Sequence, residues 1–290
     1  MTLSYIQLFE SICFETFGRE IEVEDFSVVA AGLVNTGAFV KTKKADFFVK
    51  INEREEENFF QSEAQDLNLL SETVSVPKVF GNGKCLGFNY LITEFVVEAP
   101  FSKTTYELAG RQLAILHKKS HSQFGQDWTN FLASIPQDNQ WKQDGINFLI
   151  QNRILPAVGL CLMEEKISFE LYRKVESLCG KLGNWIPDEA PALIHGDLWS
   201  GNLMGSSSGI PYFIDPASSY GLRESELAIT HLFGSFDPHF YGAYLEEFPL
   251  QPGFEDRFLI YHLHPLLVHL HLFGNSYLPA IERIVKVFLN

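Results

Sequence analysis

Apolar residues recur three or four apart over residues 4–17, at Ile6, Phe9, Cys13 and Phe17, which predicts an amphipathic opening helix. The period then shortens. Residues 26–34, 37–42 and 46–51 are β-rich runs divided by turn residues, the pattern of an antiparallel meander. In the third run Phe47, Val49 and Ile51 share one face, while Phe48 and Lys50 share the other. Residues 54–71 return to the helical period, with Phe60, Ala64 and Leu67 on the apolar side and Glu63 within a turn of them. Another strand is expected over 86–93, and residues 93–96 lead out of the β-rich region. Helical periodicity dominates afterwards. Over 106–119, Leu108, Gln112, Ile115 and Lys119 form one row and Ala109, Leu113 and Leu116 the next. Residues 124–141 read as loop, 142–154 and 165–182 as helices, and the chain from Glu224 onward as aromatic helix. This change of period predicts an α+β chain of two lobes, a small β-rich one over 1–96 and a larger helical one over 97–290, with the break near 96–104.

The densest polar chemistry lies in His195-Gly196-Asp197-Leu198-Trp199-Ser200-Gly201-Asn202. Four residues separate Asp197 from Asn202, the H-x-D-x-x-x-x-N spacing of a kinase catalytic loop. Phosphoryl transfer to an alcohol needs one carboxylate to orient the hydroxyl and accept its proton, and oxygen ligands for Mg²⁺ beside the phosphates. Asp197 suits the first task. Asn202 and Asp215 suit the second, Asp215 following the apolar run Tyr212-Phe213-Ile214 at the end of an expected buried strand. A hard cation that keeps several waters is served by so sparse a ligand set. A simpler alternative stays open at this point: Asp, Asn, Gly and Ser also favour turns, so the motif is compatible with Asp197 capping a helix and Asn202 lying in a loop.

Lys50 stands in an otherwise apolar strand, and Glu63 leans toward the apolar side of the next helix. A carboxylate there wants a cation. A strand Lys paired with a helix Glu is the ion pair that positions nucleotide phosphates in protein kinases. Solvation of each side chain separately is the alternative. Gly32 and Gly37 have the G-x-x-x-x-G spacing but are followed by Ala38-Phe39, so no Walker A motif is present and the segment reads as a glycine-bearing turn.

Composition narrows the class. With 46% hydrophobic residues and 26 Phe in 290, the chain can bury a large core. A formal charge of −14 argues against nucleic acid or an anionic membrane as partner, since both require positive surface. The residues at 1–18 lack the basic and apolar regions of a signal peptide, and no stretch of about 20 apolar residues suggests a span. Cys13, Cys85, Cys161 and Cys179 are scattered, which fits reduced thiols and a cytoplasmic location. His262, His264, His269 and His271 form no H-E-x-x-H pattern and read as core or hydrogen-bonded histidines.

These features together resemble the fructosamine kinase (ketosamine-3-kinase) family, relatives of the aminoglycoside phosphotransferases. The resemblance is carried by FFVKIN, SEAQDLNLL, GRQLAILH, LIHGDLWSGNLM, FIDPASSYGLRESELAITHLFGSF, FYGAYLEEFPLQPGFEDR and LLVHLHLFGNSYL, nearly the whole chain. It implies a protein-kinase-like fold and an ATP-dependent, Mg²⁺-assisted kinase. The expected acceptor is the 3-hydroxyl of a ketosamine, free or protein-bound, with deglycation as the role. It implies Lys50 as the phosphate-contacting lysine with Glu63 as partner, Asp197 as proton acceptor, and Asn202 and Asp215 as Mg²⁺ ligands. Glu94, Phe95 and Val96 become the adenine hinge. Trp199 lines the acceptor pocket or serves packing. Two stretches depart from the family pattern, AAGLVNTGAF and residues 126–131. A kinase acting on an aminoglycoside, choline or related alcohol, and a catalytically inactive nucleotide-binding module, are the rival readings. The oligomeric state is not legible in the sequence.

Overall fold

The computed structural model describes residues 4–31, 35–53 and 59–289. Gly32 to Val34 of the glycine turn and residues 54–58 of the expected helix 54–71 lie outside them. The chain divides into two compact units, one comprising 1–105, 130–136 and 203–217, the other 106–129, 137–202 and 218–290.

The first unit opens with α1 (Tyr5–Phe17). A capping box starts it: the Ser4 hydroxyl accepts from the Gln7 N–H and the Gln7 side chain accepts from the Ser4 N–H, each at 3.2 Å. Gly18, at φ +64°, ends it in the left-handed conformation. Leu8, Phe9, Ile12 and Cys13 form its buried face, whereas Ile6, expected there, is exposed. The segment is apolar on more than one side, and the sheet beneath decides which side is covered.

That sheet holds β1 (Val23–Ala31), β2 (Thr36–Thr42) and β3 (Asp46–Asn52), followed after α2 (Phe59–Leu70) by β4 (Val79–Cys85) and β5 (Phe88–Glu94). Its order is β1-β2-β3-β5-β4, antiparallel throughout. Strand β4 was not among the expected elements. Side chains lie close against two of its glycines: a Cβ on Gly83 would sit 3.3 Å from the Tyr90 ring and one on Gly81 2.9 Å from Thr16. Leu86 and Gly87, both at positive φ, make the two-residue hairpin into β5. Phe47, Val49 and Ile51 join the α1 residues in one core cluster. On the α2 side, Phe60, Ala64 and Leu67 pack with Leu91.

The chain continues through α3 (Lys103–Lys118), β6 (Asn130–Leu132), β7 (Ile135–Gln137), α4 (Gly145–Leu149), a π-helical turn (Ile150–Ile154), α5 (Leu155–Met163) and α6 (Phe169–Cys179). Then come β8 (Ala192–Ile194), β9 (Leu203–Gly205), β10 (Pro211–Phe213), β11 (Ser219–Gly221), α7 (Arg223–Leu232), α8 (Pro238–Glu247), α9 (Phe254–Phe273) and α10 (Leu278–Leu289). Residues 124–141 thus contain two short strands where only loop was expected. The helix expected to stop at 154 runs on to Met163. Pro156 supplies no N–H and its ring crowds the preceding turn, and the wide π turn just before it lets the helix continue.

By length and composition, Gly145–Met163 is long and apolar enough to cross a membrane, although the sequence suggested no such run. It carries Arg153, buried and donating to the Asp138 carbonyl (2.8 Å) and Asn139 Oδ1 (2.6 Å), and α5 packs on α6 and α9. The four cysteines are free and buried. On α9, His262 bonds the Ala228 carbonyl and His269 that of Pro265, each at 2.8 Å, while His271 meets Glu164 at 3.0 Å.

Candidate active site

Lys50 reaches its position because β3 alternates. Its neighbours Val49 and Ile51 face α1, so the ammonium extends toward α2. There Nζ lies 2.7 Å from Glu63 Oε1 and 2.6 Å from Asp215 Oδ1. The lysine and Glu63 are nearly buried, whereas the Asp215 side chain is 48% exposed. Burial by itself would lower the lysine's pKa; the charges of Asp215 and then Glu63, with their hydrogen bonds, outweigh it and hold the ammonium above its ordinary range. Burial acts the other way on the Glu63 carboxyl, pushing its pKa up against the pull of Lys50.

Asp215 is brought to this unit by a returning hairpin. β9 and β10 pair antiparallel, and the Phe213 N–H donates to the Ser75 carbonyl at 2.8 Å. Asp215 itself has φ +56°, a left-handed conformation that Asp tolerates better than most residues. Glu94 closes β5 with its N–H on the Lys78 carbonyl at 2.8 Å. Phe95 and Val96 follow outside the strand, and the Phe95 ring meets Phe39 with centroids 4.5 Å apart.

The second unit carries the other polar group. β8 pairs with β11 and runs directly into His195-Gly196-Asp197. Asn202 Nδ2 donates to Asp197 Oδ2 at 2.9 Å and to the Asp197 carbonyl at 2.8 Å, which leaves the amide oxygen Oδ1 as a potential ligand. Gly196 adopts φ +89°, which lets the chain turn between the histidine and the aspartate. Sequence reading did not find what holds this turn. Glu226, from the first turn of α7, accepts from the His195 N–H (2.8 Å, Oε2), the Gly196 N–H (2.6 Å, Oε1) and His117 Nε2 (2.9 Å, Oε2). Tyr244 completes the buried chain, 2.8 Å from His117 Nδ1. Nε2 of His117 donates to the carboxylate, and Nδ1 shares a hydrogen bond with the tyrosine hydroxyl whose direction follows the ring's tautomer. Burial alone would raise the Glu226 pKa; the hydrogen bond and charge of His117, with those of His195, override it and hold the carboxylate below its ordinary range.

Trp199 is 38% exposed, and its ring lies over Gly201, where a Cβ would come within 2.3 Å of it. Ser200 Oγ donates to the Phe233 carbonyl at 3.4 Å. The Phe233 ring stacks on His269 at 4.2 Å, and Phe273 and Tyr277 lie 5.1 and 5.2 Å from the same imidazole. Burial lowers the His269 pKa, and Nδ1 is engaged with Pro265, so Nε2 of the neutral ring is an acceptor. The sequence reading assigned this histidine only a core or hydrogen-bonding role; its aromatic setting has no signature in residue spacing.

The sequence pattern of fructosamine kinases matches residues 6–290. The chain belongs to the fructosamine kinase family. Among relatives of this fructosamine kinase family member, a probable ketoamine kinase of Lactiplantibacillus plantarum is 33% identical over 92% of this chain and 95% of its own. The chloroplastic protein-ribulosamine 3-kinase of Oryza sativa subsp. japonica is 33% identical over 94% of this chain and 81% of its own. A crystal structure of a candidate fructosamine-3-kinase from Haemophilus somnus 129PT superposes with a TM-score of 0.88 at 27% identity, covering 98% and 97% of the two chains. An aminoglycoside phosphotransferase shares the fold at a TM-score of 0.66 and 14% identity, over 97% of this chain and 99% of that one. The fold is therefore the α+β protein-kinase-like one, with a small β-sheet part and a larger helical part.

Proposed function

We propose that this fructosamine kinase family member transfers the γ-phosphoryl group of ATP to the 3-hydroxyl of a ketosamine of the fructosamine or ribulosamine type. The observation that carries the reading is the Lys50–Glu63–Asp215 cluster, a buried ammonium held between two carboxylates. Lys50 would bind phosphate oxygens, with Glu63 retaining it in place. The backbone of Glu94, Phe95 and Val96 would receive the adenine. Residues 1–96 would form the nucleotide-binding lobe, completed by the hairpin that delivers Asp215, and residues 97–290 the catalytic and acceptor-binding lobe.

Asp197 would align the acceptor hydroxyl and take its proton as the oxygen bonds to the γ-phosphorus and the bond to the β-phosphate oxygen breaks, releasing ADP. The donor chemistry fits Mg²⁺: a half-exposed Asp215 carboxylate and the Asn202 amide oxygen are hard ligands. When bound, Mg²⁺ would neutralise charge on the phosphates. Trp199 and the Phe233–His269 wall would receive the sugar, aromatic faces against its C–H groups and His269 Nε2 accepting from a hydroxyl.

Phosphorylated ketosamines shed the free amine, so the cellular role would be deglycation, in the cytoplasm, on free metabolites or glycated protein amines. The test is ATP consumption across glycated lysines, ribulosamines, choline and an aminoglycoside. Turnover with ketosamines supports the reading. Phosphorylation of choline or the aminoglycoside alone would assign a different acceptor, and MgATP binding without turnover on any acceptor would assign an inactive module.

A further inference from the structure

Helix α2 presents Phe59, Glu63 and Asp66 at i, i+4 and i+7, a single stripe along its surface. Two consecutive residues of β6 meet the two ends of that stripe. Asn130 Nδ2 donates to Asp66 Oδ2 at 3.0 Å, with both residues buried, and the Phe131 ring lies 4.8 Å from Phe59. Glu63 lies between these attachments and holds Lys50. Beside this stripe α2 rests on the sheet through Phe60, Ala64 and Leu67, in one apolar cluster that also takes in Phe59 and Phe131. Apolar contact is non-directional and resists rotation of a helix weakly. An amide–carboxylate hydrogen bond with fixed geometry and a ring pair resist it far better. A turn of α2 by one residue position, about 100°, would carry Glu63 away from Lys50.

We propose that Asn130 and Phe131 form a latch that sets the rotation of α2 and thereby the Lys50–Glu63 pair. They are positioning residues for the nucleotide, acting through Glu63. Asp66 thereby gains a part in the site: its buried carboxylate needs donors, and the latch supplies one. The inference rests on the nucleotide assignment made above, so its readout is MgATP binding, without any acceptor.

The experiment is calorimetric titration of the full chain with MgATP, for wild type, Phe131→Ala, Asn130→Ala and Phe131→Leu, each alone and in a Glu63→Gln background. A cooperative melt above the assay temperature verifies folding, and if Asn130→Ala fails to fold, the two Phe131 variants carry the test. Both alanine variants should bind MgATP about tenfold more weakly, within the coupling range of residues in contact. Phe131→Leu should recover most of that loss. In the Glu63→Gln background the same substitutions should cost less than about twofold, because the group they position no longer pairs as an anion. Unchanged affinity in the single variants, or the same tenfold loss without Glu63, overturns the latch. A wild-type chain that binds no MgATP overturns the nucleotide assignment and the latch with it, whereas wild-type binding with indifferent variants overturns the latch alone.

Discussion

Replacing Glu226 by Gln is the sharpest test of how the Asp197 turn is held. Three donors converge on two carboxylate oxygens: the amides of His195 and Gly196, and His117 Nε2. A glutamine offers one oxygen, and whichever way its amide lies, the NH₂ faces a backbone N–H that cannot become an acceptor. His117 can adjust by exchanging tautomers; the peptide groups cannot. The variant therefore loses at least one hydrogen bond to a charged acceptor and leaves a buried donor unmet, about 2–4 kcal/mol of stability. Displacement of the turn by about 1 Å would cost on the order of 100-fold in kcat, with KM for MgATP unchanged because the Lys50 cluster is untouched. Urea denaturation and steady-state kinetics measure the two effects. The pH dependence has a definite sign. The Glu226 pKa lies below its ordinary 4.5 in the folded chain, so its contribution is present above that value and lost as pH falls through the folded one. The Gln variant should lack this part of the acid destabilisation. A Gln variant with the wild-type urea midpoint and kcat within about threefold would refute the reasoning.

The remaining expectations are local. Lys50→Met removes the cation between Glu63 and Asp215 and should lower kcat/KM for MgATP by about 100-fold or more; a loss confined to the acceptor's KM would contradict its phosphate role. Asp197→Ala should reduce turnover by about 10²–10⁴-fold while MgATP still binds by calorimetry, and an unchanged rate would remove Asp197 as the proton acceptor. Gly201→Ala places a methyl 2.3 Å from the Trp199 ring. The indole must move, so its fluorescence should shift and KM for the ketosamine rise while KM for MgATP stays constant; a changed nucleotide KM alone would place Trp199 outside the acceptor site.

What the sequence showed about the fold was largely what alternation and helical period encode. The three-strand meander, the Lys50 face of β3 and the apolar side of α2 all follow from side-chain spacing. The errors lie where a neighbour decided the outcome. Ile6 has the spacing of a buried residue, yet the sheet covers the Leu8–Phe9 side of α1 instead. Strand β4 was not found, and what its glycines do, leaving room for Tyr90 and Thr16, belongs to other segments. The helix expected over 142–154 runs on through Pro156 because of a π turn that leaves no compositional trace.

The site divides in the same way, and the division follows from what each residue does. Asp197 and Asn202 are tied to each other within one turn, so their relation is a fixed spacing that a reader can recognise. Lys50 and Glu63 sit thirteen residues apart on adjacent elements, and an ionisable group on an otherwise apolar face asks for a partner. Glu226 and His117 offer neither clue. Glu226 shares the first turn of its helix with Glu224, where acidic residues are ordinary because of the helix dipole. Its difference from Glu224 lies only in its partners: Glu224 pairs with Arg257 and Tyr261, while Glu226 holds two peptide N–H groups thirty residues upstream. Two acids of one helix turn thus do unlike work, and only the tertiary contacts distinguish them. Residues that act on the reacting groups leave a motif; those that hold the motif in place leave a carboxylate on a buried face and become visible once the chain is folded.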